Sequence, residues 1–336
     1  PKMWKVRTKT LADLLAEHVN GDEVGHLLSF LWGYYGLPPE KLSAFYYAIA
    51  TASYLKNGSF YIKDRSQRLS DLLVEAIETA GGDMVYETTV ETVRIADKAV
   101  SGVALSDGRV LPAKAVVSNA SAITLFNNIL PKDSVPDTYL EQINTYRPSI
   151  SGFVVWLGLN RSLRGELPGY STSVGFESSP QESYAMALEG EIRKVPYTLC
   201  LYDNLSEGYS APGTSTLMLF TLCGYEPWRR FEADYRSGRK EAYAAEKERW
   251  TETLIRRAEE DLLPGLRPMI EVTEAATPLT NWRYTGNTEG AFYGFEQSML
   301  NAYMNRFDNQ TPIEGLFLAG AWGQPGGGFT GVLRSG

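Results

Sequence analysis

The residues that can do chemistry are concentrated near the end of the chain. Residues 315–332 read Gly-Leu-Phe-Leu-Ala-Gly-Ala-Trp-Gly-Gln-Pro-Gly-Gly-Gly-Phe-Thr-Gly-Val. Residues 316–319 predict a buried strand, the loop after it places four glycines in six positions, and a helix start follows. Such a loop lets backbone come very close to a ligand. It also aims unpaired N–H groups, at the positive end of a helix dipole, toward an anionic or electron-rich group. It is neither a Walker-type GxxxxGK(S/T) loop nor a strand-bounded GxGxxG, and a glycine loop without a ligand would read the same way.

Other chemistry is sparse. His18 and His26 are the only histidines; they lie eight apart, not at HExxH spacing, and neither has a GxSxG neighbourhood. They are expected on a helical face, with no metal and no Ser/His or Cys/His mechanism. Two cysteines, Cys200 and Cys223, make neither a disulfide scaffold nor a cysteine-rich zinc site and fit a reducing compartment.

The elements that must position the loop follow from periodicity. Residues 8–31 carry Leu11, Leu14, Leu15 and Val19, then Val24, Leu27, Leu28 and Leu31, which predicts two helices broken at Asn20-Gly21. Residues 43–50 are apolar almost all round, as in a helix that is buried or lines an apolar cavity. Ser66 is placed to cap a helix with Leu69, Leu72, Leu73, Ala76, Ile77 and Ala80 on one face, stopped by Gly81-Gly82. Strands are predicted at 84–89, 90–95 and 99–105, with a turn at Asp107-Gly108 and a short buried strand at 115–117 entering a central sheet. Residues 149–159, 198–202 and 215–222 predict a second, mostly antiparallel sheet. A long charged helix covers 238–263, with Tyr243, Trp250, Leu254, Ala258 and Leu262 on its apolar face and a solvated charged face. The class is α/β with α+β character, in two parts interleaved along the chain, with neither an internal repeat nor a low-complexity linker.

The 336 residues are 43% hydrophobic and 21% charged, enough for one large domain or two ordinary ones. Acidic residues outnumber basic ones, 40 to 32, for a net charge of -8, so nucleic acid is not an expected partner. The longest apolar stretches, 44–55 and 150–159, fall short of the roughly 18–20 residues of a spanning helix, so the chain is expected to be cytoplasmic or peripheral on a membrane. It opens at Pro1 without a signal-peptide pattern and closes at Gly336 in early helix, so both ends read as cuts within a longer protein.

The glycine loop resembles the flavin-facing LAGxxxxPGGGxxG motif of the phytoene desaturase, carotenoid isomerase and retinol saturase branch of the FAD-dependent amine-oxidase superfamily. Three further blocks are similar to that family in the same order. They are Gly58-Ser59-Phe60-Tyr61-Ile62-Lys63 with Ser66-Gln67-Arg68-Leu69; Lys114-Ala115-Val116-Val117-Ser118-Asn119-Ala120; and Thr277-Pro278-Leu279-Thr280 through Gly290-Ala291-Phe292-Tyr293-Gly294-Phe295. The stretch Trp32-Gly33-Tyr34-Tyr35-Gly36-Leu37-Pro38-Pro39 leans toward the retinol saturase and carotenoid isomerase side.

The resemblance implies an FAD-binding Rossmann-like domain of glutathione-reductase type, interleaved with a substrate domain. Residues 58–130 and 286–336 would belong to the FAD-binding part; residues 1–57 and 131–285 would belong to the substrate part. It puts the Val90 backbone, Ser118 and Asn119 at the adenine half of FAD. Gly320, Ala321, Pro325, Gly326, Gly327, Gly328, Phe329 and Gly331 would then lie along the ribityl chain and the pyrimidine edge. Two departures stand out: Ala321 replaces an acidic residue of many relatives, and the N-terminal GxGxxG unit is absent, so this chain alone is expected to bind FAD weakly or not at all.

The implied activity is hydride transfer at flavin N5 to or from a hydrophobic polyene, as desaturase, saturase or isomerase, with NAD(P) or a quinone as electron partner. Little acid-base machinery is required, and Tyr293 and Glu296 are the candidates for a proton, against core packing and an ordinary polar contact. Rival readings are a non-catalytic lipid-binding or interaction fragment and a flavin amine oxidase. An apolar substrate also implies peripheral membrane contact through residues 34–55, with Phe45 and Leu55 exposed.

Overall fold

In the structure, a computed structural model describing residues 3–336, packing divides the chain into two units. One takes the residues through Ser53, Val85–Ile150 and Asn281–Gly336; the other takes Tyr54–Met84 and Ser151–Thr280. These units are drawn by packing; the assignment of segments to cofactor and substrate rests on the resemblance.

Ten strands form among the described residues: β1 (Val90–Ala96), β2 (Ala99–Leu105), β3 (Val110–Pro112), β4 (Val116–Ser118), β5 (Ser151–Leu159), β6 (Ser171–Val174), β7 (Tyr197–Leu201), β8 (Ser215–Cys223), β9 (Ile270–Ala276) and β10 (Leu316–Leu318).

In the first unit, helix Leu11–Ala16 starts from a Thr10/Asp13 capping box, and Gly21, at φ +102°, separates it from helix Asp22–Ser29. His18 and His26 are both exposed. Helix Ala44–Asn57 buries Ala44 and Tyr47, half-buries the residues around them, and is exposed from Ala52 onward. Only its first two turns are therefore enclosed, although the apolar run is longer.

The antiparallel β1-β2-β3 sheet turns at Gly108, φ +84°. Residues 84–89, expected as a strand, are irregular. A strand is defined by its ladder, and among the described residues this segment has none beyond the bond from the Ser106 amide to the Thr89 carbonyl at 2.8 Å. β4 and β10 pair in parallel, Leu316 opposite Val116 and Leu318 opposite Ser118. One face is closed by a core that includes Val93, Leu125, Ile143, Phe295 and Trp322. The other is open: Val117 is 65% exposed, which corrects the expectation of a strand buried on both sides.

The second unit is built on the sheet β6-β7-β8-β5-β9, antiparallel throughout. Phe153, Val155, Leu157 and Leu159 of β5 are buried, with Phe153 against Trp228 and Trp250. Helix Glu241–Asp261 buries Tyr243, Trp250, Leu254 and Ala258, as the periodicity requires. β6 and β9 escaped the sequence reading because Ser171–Val174 is polar and short, while Ile270–Ala276 carries Glu271 and Glu274.

Helix Gln67–Thr79 stops at Gly81, φ +84°, as expected. Ser66 does not cap it: that residue is itself helical and makes no side-chain cap bond. None of the helix's residues is buried, and Leu72, Leu73 and Ile77 stay 43–49% exposed. No helix among the described residues is long and apolar enough to cross a membrane, and no group of His, Cys, Asp and Glu is arranged to hold a metal.

Candidate functional site

The parallel pair β4-β10 brings two distant motifs to one sheet end. The Ala319 amide donates to the Ser118 carbonyl at 2.9 Å, and a Cβ on Gly320 would lie 3.4 Å from Asn119 Cβ. Ser118, Asn119 and Gly320 therefore meet beyond the carboxyl ends of the two strands, the place where open α/β sheets take ligands. Val90 lies in the other sheet of this unit, at the start of β1 opposite Leu105 and 37% exposed.

After Gly320 (φ +82°) comes a short 3₁₀ turn through Trp322, then Gly323, a cis Gln324-Pro325 bond, and the run Gly326 to Gly328 ahead of helix Phe329–Ser335. Sterics explain most of the glycines. A Cβ on Gly327 would meet the Tyr293 carbonyl at 2.8 Å, one on Gly331 the Gly326 carbonyl at 2.5 Å, and one on Gly326 the Gln297 amide at 2.9 Å. Gly328 differs: at φ +85° it faces open space, with Phe329 63% exposed beside it.

The loop keeps free donors. Among the described residues the amides of Ala321, Gly326, Gly327 and Gly328 donate to nothing, although Gly326 and Gly327 are buried. A buried N–H without a partner is costly and rare in a finished structure, so a cradle of them is suited to an acceptor-rich ligand.

Side chains that the sequence reading missed hold the loop in shape. Arg306, 2% exposed, donates to the carbonyls of Ala321 (2.9 Å), Gly323 (3.1 Å) and Phe295 (3.2 Å) and to Asn301. No carboxylate pairs with it among the described residues, and burial lowers its pKa to about 10, still charged at neutral pH. Asn309 brackets Gln324, accepting from its amide at 2.7 Å and donating to its carbonyl at 3.0 Å. The Trp322 indole donates to Asn287, and the Tyr46 phenol donates to the Gly327 carbonyl at 2.7 Å. Beneath the loop, Gln297 Oε1 and Asn301 Nδ2 are buried without partners among the described residues.

Tyr293 and Glu296 lie on the irregular segment that passes under the loop. The Tyr293 phenol donates to the Gly33 carbonyl at 3.0 Å, its ring fills the space that a Cβ on Gly36 would need, and burial raises its pKa. Glu296 is half-buried; burial pushes its carboxyl up, opposed by the charges of Arg147 and Lys41. Its backbone bonds Arg147 at 3.0 Å.

The profile of flavin containing amine oxidoreductases matches residues 9–336. The chain belongs to that family. Within its reach are all-trans-retinol 13,14-reductase of Homo sapiens, 26% identical over 93% of this chain and 54% of its own length, and prolycopene isomerase of Daucus carota, 24% identical over 79% of this chain and 40% of its own. Phytoene desaturase (neurosporene-forming) of Rhodobacter capsulatus is 25% identical over 95% of this chain and 60% of its own. The chain spans about half the length of the curated relatives it matches. In fold it is similar to an oxidoreductase of Methanosarcina mazei (TM-score 0.64, 15% identity, 97% of this chain and 66% of that one). It is also similar to putrescine oxidase bound to putrescine (TM-score 0.58, 15% identity, 94% and 63%). The family implies FAD, and the open cradle at Gly328 with its unpartnered amides fits an acceptor-edged cofactor of that kind.

Proposed function

We propose that this chain is part of an FAD-dependent oxidoreductase that adds, removes or rearranges electrons at carbon-carbon double bonds of a hydrophobic isoprenoid or polyene. The observation that carries the reading is the apolar wall beside the loop. The enclosed turns of helix Ala44–Asn57 bring Tyr46 to the Gly327 carbonyl, with Tyr35 edge-on to Tyr46 at 5.9 Å and Phe45 edge-on to Tyr303 at 5.5 Å. The retinol reductase, prolycopene isomerase and phytoene desaturase names of the relatives agree with an apolar substrate.

FAD, when bound, supplies hydride or electron-pair chemistry at N5. The chain's own part is orientation and exclusion of water. The free amides of Ala321 and of Gly326 to Gly328 would hold the cofactor's acceptor edge, Ser118 and Asn119 would reach its other half, and the aromatic wall would keep a polyene dry. Glu296, whose carboxyl burial pushes above the usual range, is suited to carry a proton. NAD(P) or a quinone would serve as electron partner, and an apolar substrate calls for transient membrane contact.

The test is an anaerobic titration of the full-length protein with FAD, followed by a polyene or an amine. Flavin uptake with a redox change on the polyene supports the proposal. A redox change on the amine with peroxide release would replace it by an amine oxidase, and no flavin uptake would replace it by a lipid-binding role.

A further inference from the structure

The glycine loop is gripped through its carbonyls. Tyr46 donates to the carbonyl of Gly327 at 2.7 Å, and Arg306 donates to those of Ala321 and Gly323 at 2.9 and 3.1 Å. In a trans peptide the carbonyl and the next residue's N–H point in opposite directions. Fixing the Gly327 carbonyl toward Tyr46 therefore turns the Gly328 N–H away from it, while the N–H opposite the Ala321 carbonyl, that of Trp322, belongs to the 3₁₀ turn. The Gly328 amide is free among the described residues, whereas the amide opposite the Gly323 carbonyl, that of Gln324, is taken by Asn309.

The Gly327-Gly328 peptide has particular need of such a restraint. Glycine flanks it on both sides, and Gly326 and Gly328 both have positive φ, so no Cβ opposes a flip of the peptide plane. A flip would present a carbonyl where the N–H now stands and exchange a donor for an acceptor. The pyrimidine edge of a flavin carries two carbonyl oxygens, for which the first orientation attracts and the second repels.

We propose that Tyr46 is a positioning residue that locks the free Gly328 amide toward a flavin carbonyl, with Arg306 bracing the turn before it. The inference rests on the flavin reading above. It adds a residue that never touches the cofactor but sets a hydrogen bond it receives.

The test uses Tyr46→Phe in the full-length, FAD-loaded protein, because the substitution keeps the ring and removes only the phenol. Tyr47→Phe, which loses a phenol bonded to the Leu28 carbonyl on the same helix, is the control. Tyr46→Phe is expected to weaken FAD binding by about tenfold, the loss of one hydrogen bond. It should also move a flavin carbonyl stretch to higher frequency and lower the flavin's midpoint potential, while shifting the melting of the FAD-free protein no more than the control does. An unchanged stretch and potential in Tyr46→Phe, or an equal change in Tyr47→Phe, overturns the inference and leaves the flavin reading standing. If the wild type takes up no FAD, the flavin reading fails and this inference falls with it.

Discussion

A Cβ built on Gly294 would lie 2.3 Å from the carbonyl oxygen of Ala321. Gly294 also has φ +71°, and its own carbonyl accepts the Ser149 amide at 2.8 Å. The segment under the glycine loop is thus in contact with it backbone to backbone, at a position where only glycine satisfies both the conformation and the space. Gly294→Ala is expected to cost at least about 2 kcal/mol of stability, from left-handed strain and overpacking together. Because the same carbonyl takes a bond from Arg306, the loop should loosen as well. Denaturant melts measure the first effect, and a substitution neutral within about 0.5 kcal/mol would contradict the packing described here.

Glu296 should leave a signature in the pH dependence of stability. Burial raises its native pKa above the unfolded value, so between those values the native state binds more protons than the unfolded one. Stability from this group is present below the unfolded pKa and is lost as pH rises through the native pKa. Glu296→Gln removes the titration, so the variant should gain on the wild type as pH climbs from 4 toward 7. Thermal melts across that range check it, and a difference independent of pH would argue against a buried carboxyl.

Both thiols should be silent in the folded state. Burial pushes Cys223 up to about 12, against the indole N–H of Trp228 at 3.3 Å, and burial raises Cys200 as well. At pH 8 an aromatic disulfide reagent should modify neither until denaturant is added, when both react. Rapid labelling of the native protein would place at least one of them nearer the surface.

Membrane contact is tested at Leu55 and Phe60, which are 86% and 90% exposed. Phe45, an exposed candidate by sequence, is half-buried against Tyr303 and unsuited to the role. Leu55→Asp and Phe60→Asp should each reduce co-sedimentation with phosphatidylcholine vesicles by about tenfold and leave the melting temperature unchanged. Binding unaffected by either charge would remove this surface from consideration.

Sequence periodicity and composition carried much of this protein unaided. The long helix with Tyr243, Trp250, Leu254 and Ala258 inside and the three central strands β5, β7 and β8 of the second sheet show in residue type, because burial on one face imposes a period. The glycine loop was legible for a related reason: close backbone approach requires glycine, so the requirement appears directly in the sequence.

Tertiary structure alone decided the rest. Residues 84–89 have strand-like composition, but a strand needs a neighbour to pair with. Ser66 has the right chemistry for a cap but takes a helical conformation. Tyr46 and Arg306 were invisible as site residues because their partners are backbone carbonyls, which every residue possesses, and because Tyr46 meets Gly327 across 281 positions of chain. Side-chain patterns record which face is buried; which backbone atom a side chain then grips is settled only when the elements pack.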